Sequence, residues 1–348
     1  MCVMKGEVEC EANKECFDFA KRSHPILRCR ACRFQKCLMV GMNPLALELD
    51  DSDMKAPNYQ KFTGRPQEQN IVKIMKTVDD KLKEVVKLLT YLETKVDAFR
   101  HCSFNPTTRE ITGLQEVLTT GNKISMVDRY GPMPGWPVTN NVPMVDFSNS
   151  DLGKFPTNAK HWMFFDLLTT IEFAKTFPFF QKLSLDDQLI LLKGVTMSCT
   201  NLMISHFAIT KKADAILNPD GTFTRVKVAS MVSTGALAIA PLIRFQVTPT
   251  EYVLLKTVCL CNPTVWGLSE YAQLIISQER NTYANVLFDH CRRTRTDGIA
   301  HFAELIGILD ILERQQRKQK DLHLLYVAPF VNKFPQFRCP LIRDIMRS

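Results

Sequence analysis

Residues 171–193 read Ile-Glu-Phe-Ala-Lys-Thr-Phe-Pro-Phe-Phe-Gln-Lys-Leu-Ser-Leu-Asp-Asp-Gln-Leu-Ile-Leu-Leu-Lys, and they restrict the fold more than any other stretch of the chain. The spacing predicts two amphipathic helical pieces joined by a turn that opens at Leu183-Ser184. Ser184 stands three residues before Asp187, a weak form of the pattern in which a hydroxyl and an acid satisfy the free N–H groups of a helix start. A second helix is therefore expected there, and Leu185, Leu189 and Leu192 follow at helical spacing. Each piece closes on a lysine, Lys175 and Lys193, where a cation suits the negative end of the helix dipole. Two helix ends with lysines at the rim would frame a groove. Spacing alone favours a plainer reading, two packed core helices with solvated lysines.

A chain of 348 residues with 45% hydrophobic content is long enough for a real core in one or two domains. No apolar run reaches the roughly eighteen residues a membrane helix needs. The start, Met1-Cys2-Val3-Met4-Lys5-Gly6-Glu7, lacks the apolar centre of a secretion signal. Both observations place the protein inside the cell and off the membrane, where disulfides are rare. Six of the twelve cysteines nevertheless crowd into the first 37 residues. Cys10-x5-Cys16-x12-Cys29-x2-Cys32 is a spacing that suits tetrahedral zinc, with the last pair on the first turn of a helix. So short a segment, poor in apolar residues, needs the metal or a partner surface to fold. The six scattered cysteines are read as small core residues.

The net charge of +8 matters less than its distribution. Lys21, Arg22, Arg28, Arg30, Arg33 and Lys36 fall in one stretch without an acid, which outlines a phosphate-facing surface whose binding would weaken with salt. Arg28, Arg30, Arg33 and Lys36 are the expected DNA phosphate contacts. Beyond them, residues 43–66 mix acids, Pro57 and Gly64 without periodicity and read as a hinge. Ile71, Met75, Val78, Leu82, Val85, Leu89, Leu92, Val96 and Phe99 predict one long helix from Gln67 to Phe99. A second helix is expected near Thr107–Thr120, then a Pro- and Gly-rich loop over 131–160. Helical spacing continues through 161–180, 185–209, 249–262, 267–291 and 297–318. Asn218-Pro219-Asp220-Gly221 predicts a small hairpin. At the end of the chain Pro340 can open a short helix, with Leu341, Ile342, Ile345 and Met346 apolar and Asp344 between the pairs.

Phe173-Ala174-Lys175, Phe177 to Leu183, Asp186-Asp187-Gln188 and Leu191-Leu192-Lys193 together resemble the signature of the ligand-binding domain of nuclear hormone receptors. Cys29-Arg30-Ala31-Cys32-Arg33-Phe34-Gln35-Lys36-Cys37-Leu38 with Gly41-Met42 resembles the end of the same family's DNA-binding domain, its second zinc finger. Leu341-Ile342-Arg343-Asp344-Ile345-Met346 resembles the family's activation helix, which usually carries glutamate where this chain has Asp344. The resemblance implies a mainly α fold, a three-layer α-helical sandwich, with a small N-terminal zinc-binding remnant. Its domains would be a partial DNA-binding domain over 1–42, the hinge at 43–66 and the ligand-binding domain over 67–348.

The resemblance further implies a coregulator groove formed by Lys175, Lys193, Leu341, Ile342, Asp344, Ile345 and Met346. A partner helix of the Leu-x-x-Leu-Leu type would lie in it, its last carbonyls capped by the lysines and its first N–H groups by Asp344. Ser198, Asn201 and His206 would line a pocket for a lipophilic ligand, although a buried polar residue is more often a satisfied core group. The helix Asp297–Lys320 would supply a homo- or heterodimer face. Coactivator or corepressor helices and DNA are the implied partners, zinc the cofactor, and the nucleus the location.

Only Cys2 lies upstream of Cys10, so the family's first finger, which carries the base-reading helix, is expected to be missing. The loop between Cys16 and Cys29 is also longer than is usual in the family. Two functions follow as expectations. The first is a transcription regulator; the second is a receptor-like protein that lacks a DNA reader and competes for coregulators or dimer partners. An enzyme is not expected, because four thiolates leave no open metal position and no nucleophile–base pair stands at a meaningful spacing.

Overall fold

The computed structural model describes residues 10, 16, 29–33, 78–106, 113–137, 160–213, 215–223, 236–330 and 339–347. The chain divides into two compact units, Met1–Met75 and Lys76–Ser348. The proposed hinge and the part of the long helix before Val78 lie outside the described residues.

In the larger unit the apolar stripe becomes α1 (Val78–His101), with Leu89, Val96 and Phe99 buried. A six-residue helix, α2 (Leu114–Thr119), and a 3-10 turn at Ile124–Arg129 follow. The expected single helix over 161–180 is two, α3 (Trp162–Ala174) and α4 (Pro178–Gln181). Pro178 accounts for the break, since it lacks an N–H to continue α3 and sits at the first position of α4. Ser184 does open the next helix, α5 (Leu185–Thr210), its Oγ accepting from the Asp187 amide at 3.1 Å. That helix runs 26 residues without pause, so Lys193 lies in its interior rather than closing it.

The chain continues through α6 (Ile239–Arg244), α7 (Pro249–Leu260), α8 (Glu270–Thr294), α9 (Gly298–Tyr326) and α10 (Pro340–Met346). α5 and α7 form a middle layer, with the α1–α3 pair packed on one side and α8–α9 on the other. This is the three-layer arrangement, and it explains why α5 is buried nearly all round, as a helix enclosed by neighbours must be. Asp187 ties the layers at one edge, accepting from the Ser269 amide at 2.8 Å and its hydroxyl at 2.9 Å. Arg100 and Asp166 form a buried ion pair at 2.9 Å that joins α1 to α3. Among the described residues there is no strand. The expected hairpin contributes one isolated bridge, Leu217 with Phe223, and its remainder lies outside the described residues.

Candidate functional site

In the smaller unit, the sulfurs of Cys10, Cys16, Cys29 and Cys32 all lie within 4.8 Å of one another. Cys10 Sγ is 3.5 Å from Cys16 Sγ and 3.4 Å from Cys32 Sγ. A tetrahedral zinc with Zn–S bonds of about 2.3 Å sets its sulfurs about 3.8 Å apart, so the four thiols fit that ion. They would fill its coordination sphere and leave no place for a reactive water. A helical turn at 30–33, closed by the Arg33 amide donating to the Cys29 carbonyl at 3.1 Å, turns Cys32 inward and leaves Arg30 and Arg33 exposed. Arg28 and Lys36 lie outside the described residues.

In the larger unit the chemistry gathers around α10. This helix has seven residues and no side-chain cap of its own, too few to stay helical alone. It is held by packing against α2, α3, α5 and α9, with Leu341 and Ile345 fully buried, Met346 nearly so and Ile342 half-buried. Asp344 stays partly open and its Oδ2 accepts from the Leu114 amide, the first of α2, at 3.0 Å. At the other end of α2, Lys175 Nζ donates to the carbonyls of Val117 at 2.7 Å and Thr120 at 2.9 Å.

Lys175 is therefore not a solvated rim lysine. Its side chain is only 5% exposed, because α2 lies over it and Glu172 sits beside it at 3.1 Å. Burial pushes its ammonium below the ordinary lysine range, and Glu172 opposes the shift. Nor does Lys175 serve its own helix; it caps α2. Glu172, fully buried, also accepts from the amide of Lys123 at 2.7 Å and its Nζ at 3.2 Å. Asn122 donates to the Glu172 carbonyl at 2.9 Å, so the chain just after α2 is fastened to α3. The backbone carbonyl of Lys193, within α5, accepts from Lys320 Nζ of α9 at 3.1 Å.

Ser198, Asn201 and His206 point at protein neighbours. Ser198 Oγ donates to the Leu312 carbonyl at 3.4 Å, and Asn201 exchanges hydrogen bonds with Gln319 at 2.7 and 3.2 Å, both tying α5 to α9. The His206 ring stacks flat on Tyr252 with centroids 3.6 Å apart, and burial pushes its imidazole down to about 4. A second cluster, Glu251, Cys291 and His301, has metal-like proximity. There Glu251 is already matched by Arg295 at 3.1 Å, His301 at 3.0 Å and the Thr248 amide at 2.8 Å, which makes it a hub joining α7 to α9.

Sequence reasoning missed α2 and Glu172 as parts of the site. The signal for α2 was present in Leu114, Val117 and Leu118, at i, i+3 and i+4 behind Gly113. For Glu172 the signal was an acid three residues before Lys175, set between Ile171 and Phe173.

A family model described as the ligand-binding domain of nuclear hormone receptor matches residues 156–326, and one described as a double treble clef zinc finger, C4 type, matches residues 2–44. The chain is 44% identical over 375 residues to nuclear hormone receptor family member nhr-60 of Caenorhabditis elegans, covering 100% of this chain and 84% of that protein. It is 30% identical over 310 residues to family member nhr-153 of the same organism, covering 85% of this chain and 72% of that one. Among solved structures, the Ultraspiracle ligand binding domain from Drosophila melanogaster matches with a TM-score of 0.42 and 22% identity, over 51% of this chain and 78% of that one.

Proposed function

The chain belongs to the nuclear hormone receptor family, with a C4 zinc finger and a ligand-binding domain, and we propose that it works in the nucleus as a transcription regulator that recruits coregulators by binding their helices. The observation that carries this reading is the pair of helix-end partners, Lys175 and Asp344, placed at the two ends of a six-residue helix. At 1.5 Å rise per residue such a helix is about 9 Å long. The spacing of the two charges therefore suits a two-turn partner helix. Its last carbonyls would meet an ammonium and its first N–H groups a carboxylate, groups that a helix leaves unsatisfied at its ends.

Leu341, Ile342, Ile345 and Met346 would wall the trough, and Lys193 would stand at its rim. Residues 1–42 would form the DNA-linked module and 43–66 its hinge. There Cys10, Cys16, Cys29 and Cys32 are the proposed zinc ligands, and Arg28, Arg30, Arg33 and Lys36 the proposed phosphate contacts, which position a protein on DNA without reading its bases. The activity is binding and not catalysis.

The test joins the full chain to a reporter promoter through a heterologous DNA-binding module. Wild type should shift reporter output up or down, and Asp344→Lys, which replaces the acceptor with a cation facing N–H groups, should abolish the shift. Equal output from both chains at equal expression would overturn the reading.

A further inference from the structure

We propose that residues 113–120 are a built-in occupant of the coregulator trough, so that a partner helix binds only by displacing them. The inference rests on the groove reading above and adds its regulation. Four observations carry it. α2 has six residues and no side-chain cap at its start, its first residue following Gly113. Both of its ends are completed by other elements: Asp344, 230 positions away, on the Leu114 amide, and Lys175 on the Val117 and Thr120 carbonyls. Its apolar register matches a helix made for a groove. Leu114 and Val117 are each 1% exposed and Leu118 is packed on the core, while Gln115 and Thr119 face solvent. Gly113 lets the carboxylate close on the helix start, since a Cβ there would lie 2.8 Å from Asp344 Oδ2.

Leu114-Gln115-Glu116-Val117-Leu118 thus sits in this chain with the polarity and the end contacts expected of an incoming Leu-x-x-Leu-Leu helix. It has one methylene less at its second apolar position, so it buries less than such a helix would. A weaker competitor on a short tether still holds its site, because the effective concentration of a tethered segment reaches the millimolar range. The tether is fixed at one end by Glu172, which grips Lys123 through both amide and side chain. Release would swing α2 away from that anchor, exposing Lys175, Asp344 and the inner face of α10 together. α10 and α2 pack on each other, so the occupant also steadies the activation helix until a partner replaces it.

Fluorescence anisotropy of a labelled synthetic peptide with one Leu-x-x-Leu-Leu core tests this on the full chain. Leu114→Ala and Val117→Asp should each bind the peptide tenfold or more tighter than wild type, and adding Asp344→Lys to either should erase the gain. If wild type binds as tightly as both variants, the trough is open and the occupant is refuted while the groove reading stands. Should none of these chains bind, the groove reading falls and the occupant with it. Hydrogen exchange on wild type alone gives a readout that needs no variant to fold. Amides of Leu114–Thr120 should be protected in the free chain and exchange at least tenfold faster once peptide is bound. Exchange already as fast as in unfolded peptide, or protection unchanged by bound peptide, would overturn the proposal.

Discussion

The two units of this chain are stabilised by different chemistry. In the smaller one, the buried side chains among the described residues are the thiols of Cys16 and Cys32; in the larger they are Phe99, Phe164, Phe165, Phe180, Tyr252 and a continuous aliphatic set around α5. Four thiols gathered within 4.8 Å bury little apolar surface, and as thiolates they repel until a divalent cation joins them. Metal binding is then folding free energy. The larger unit draws its stability from apolar burial, which is indifferent to chelators. One chain therefore has two independent points of failure.

Metal removal separates them most sharply. A strong chelator at neutral pH should strip one zinc per chain and unfold the cluster and its helical turn, a loss on the order of 10 kcal/mol of site free energy. The thermal transition of the larger unit should stay where it was. Native mass spectrometry counts the zinc, and hydrogen exchange over residues 10–33 reads the unfolding. A body transition that falls with the metal would break the contrast. The reverse experiment uses Asp166→Ala, which leaves the 2% exposed Arg100 without its partner at 2.9 Å. Removing one member of a buried pair costs about 3–5 kcal/mol. Urea unfolding should show that loss in the body with zinc content unchanged. Less than about 1 kcal/mol would mean that ring contacts, such as Arg100 over Phe207 at 4.8 Å, do most of the fastening.

The sequence made some of this arrangement legible and hid the rest for identifiable reasons. α1 could be read because seven apolar residues from Val78 to Phe99 recur at steps of three or four, and α5 because Ser184 announces its start. The clustering of Cys10, Cys16, Cys29 and Cys32 could be read because metal-site geometry is encoded in cysteine spacing. A helix could be expected near Thr107–Thr120, and α2 falls within that range, but its place in the site could not be read, since its ends meet residues 58 and 230 positions away. Lys175 was expected in solvent because spacing shows which side of a helix a residue occupies and says nothing of what covers that side. The same blindness applies to Ser198 and Asn201. Their polarity marked them as special, but only the packing of α9 on α5 made them inter-helix ties.

The smallest expected effect is proton-linked and falls on the body. His206, flat against Tyr252, is pushed by burial from 6.5 down to about 4, so the fold keeps it neutral. Between those values the unfolded chain takes up a proton that the fold refuses, and stability must fall as pH drops from 6.5 towards 4. Above the window both states are neutral, and below it both are charged, so the pH dependence is confined to the window and the loss accumulated across it persists at lower pH. At about 1.4 kcal/mol per pKa unit the loss is at most about 3 kcal/mol. His161, His290 and His323 are pushed in the same direction by burial, so the total acid loss is shared, and a single variant is needed to isolate one part. His206→Phe retains a ring to stack and removes the titration. Acid also releases zinc from thiolates, which makes the probe important: Trp136, Trp162 and Trp266 all lie in the larger unit. Urea titrations followed by tryptophan fluorescence at pH 7 and pH 4.5 should show a smaller acid loss in the variant than in wild type. Parallel losses in the two chains would remove His206 from the account and leave the acid sensitivity of the body to its other histidines.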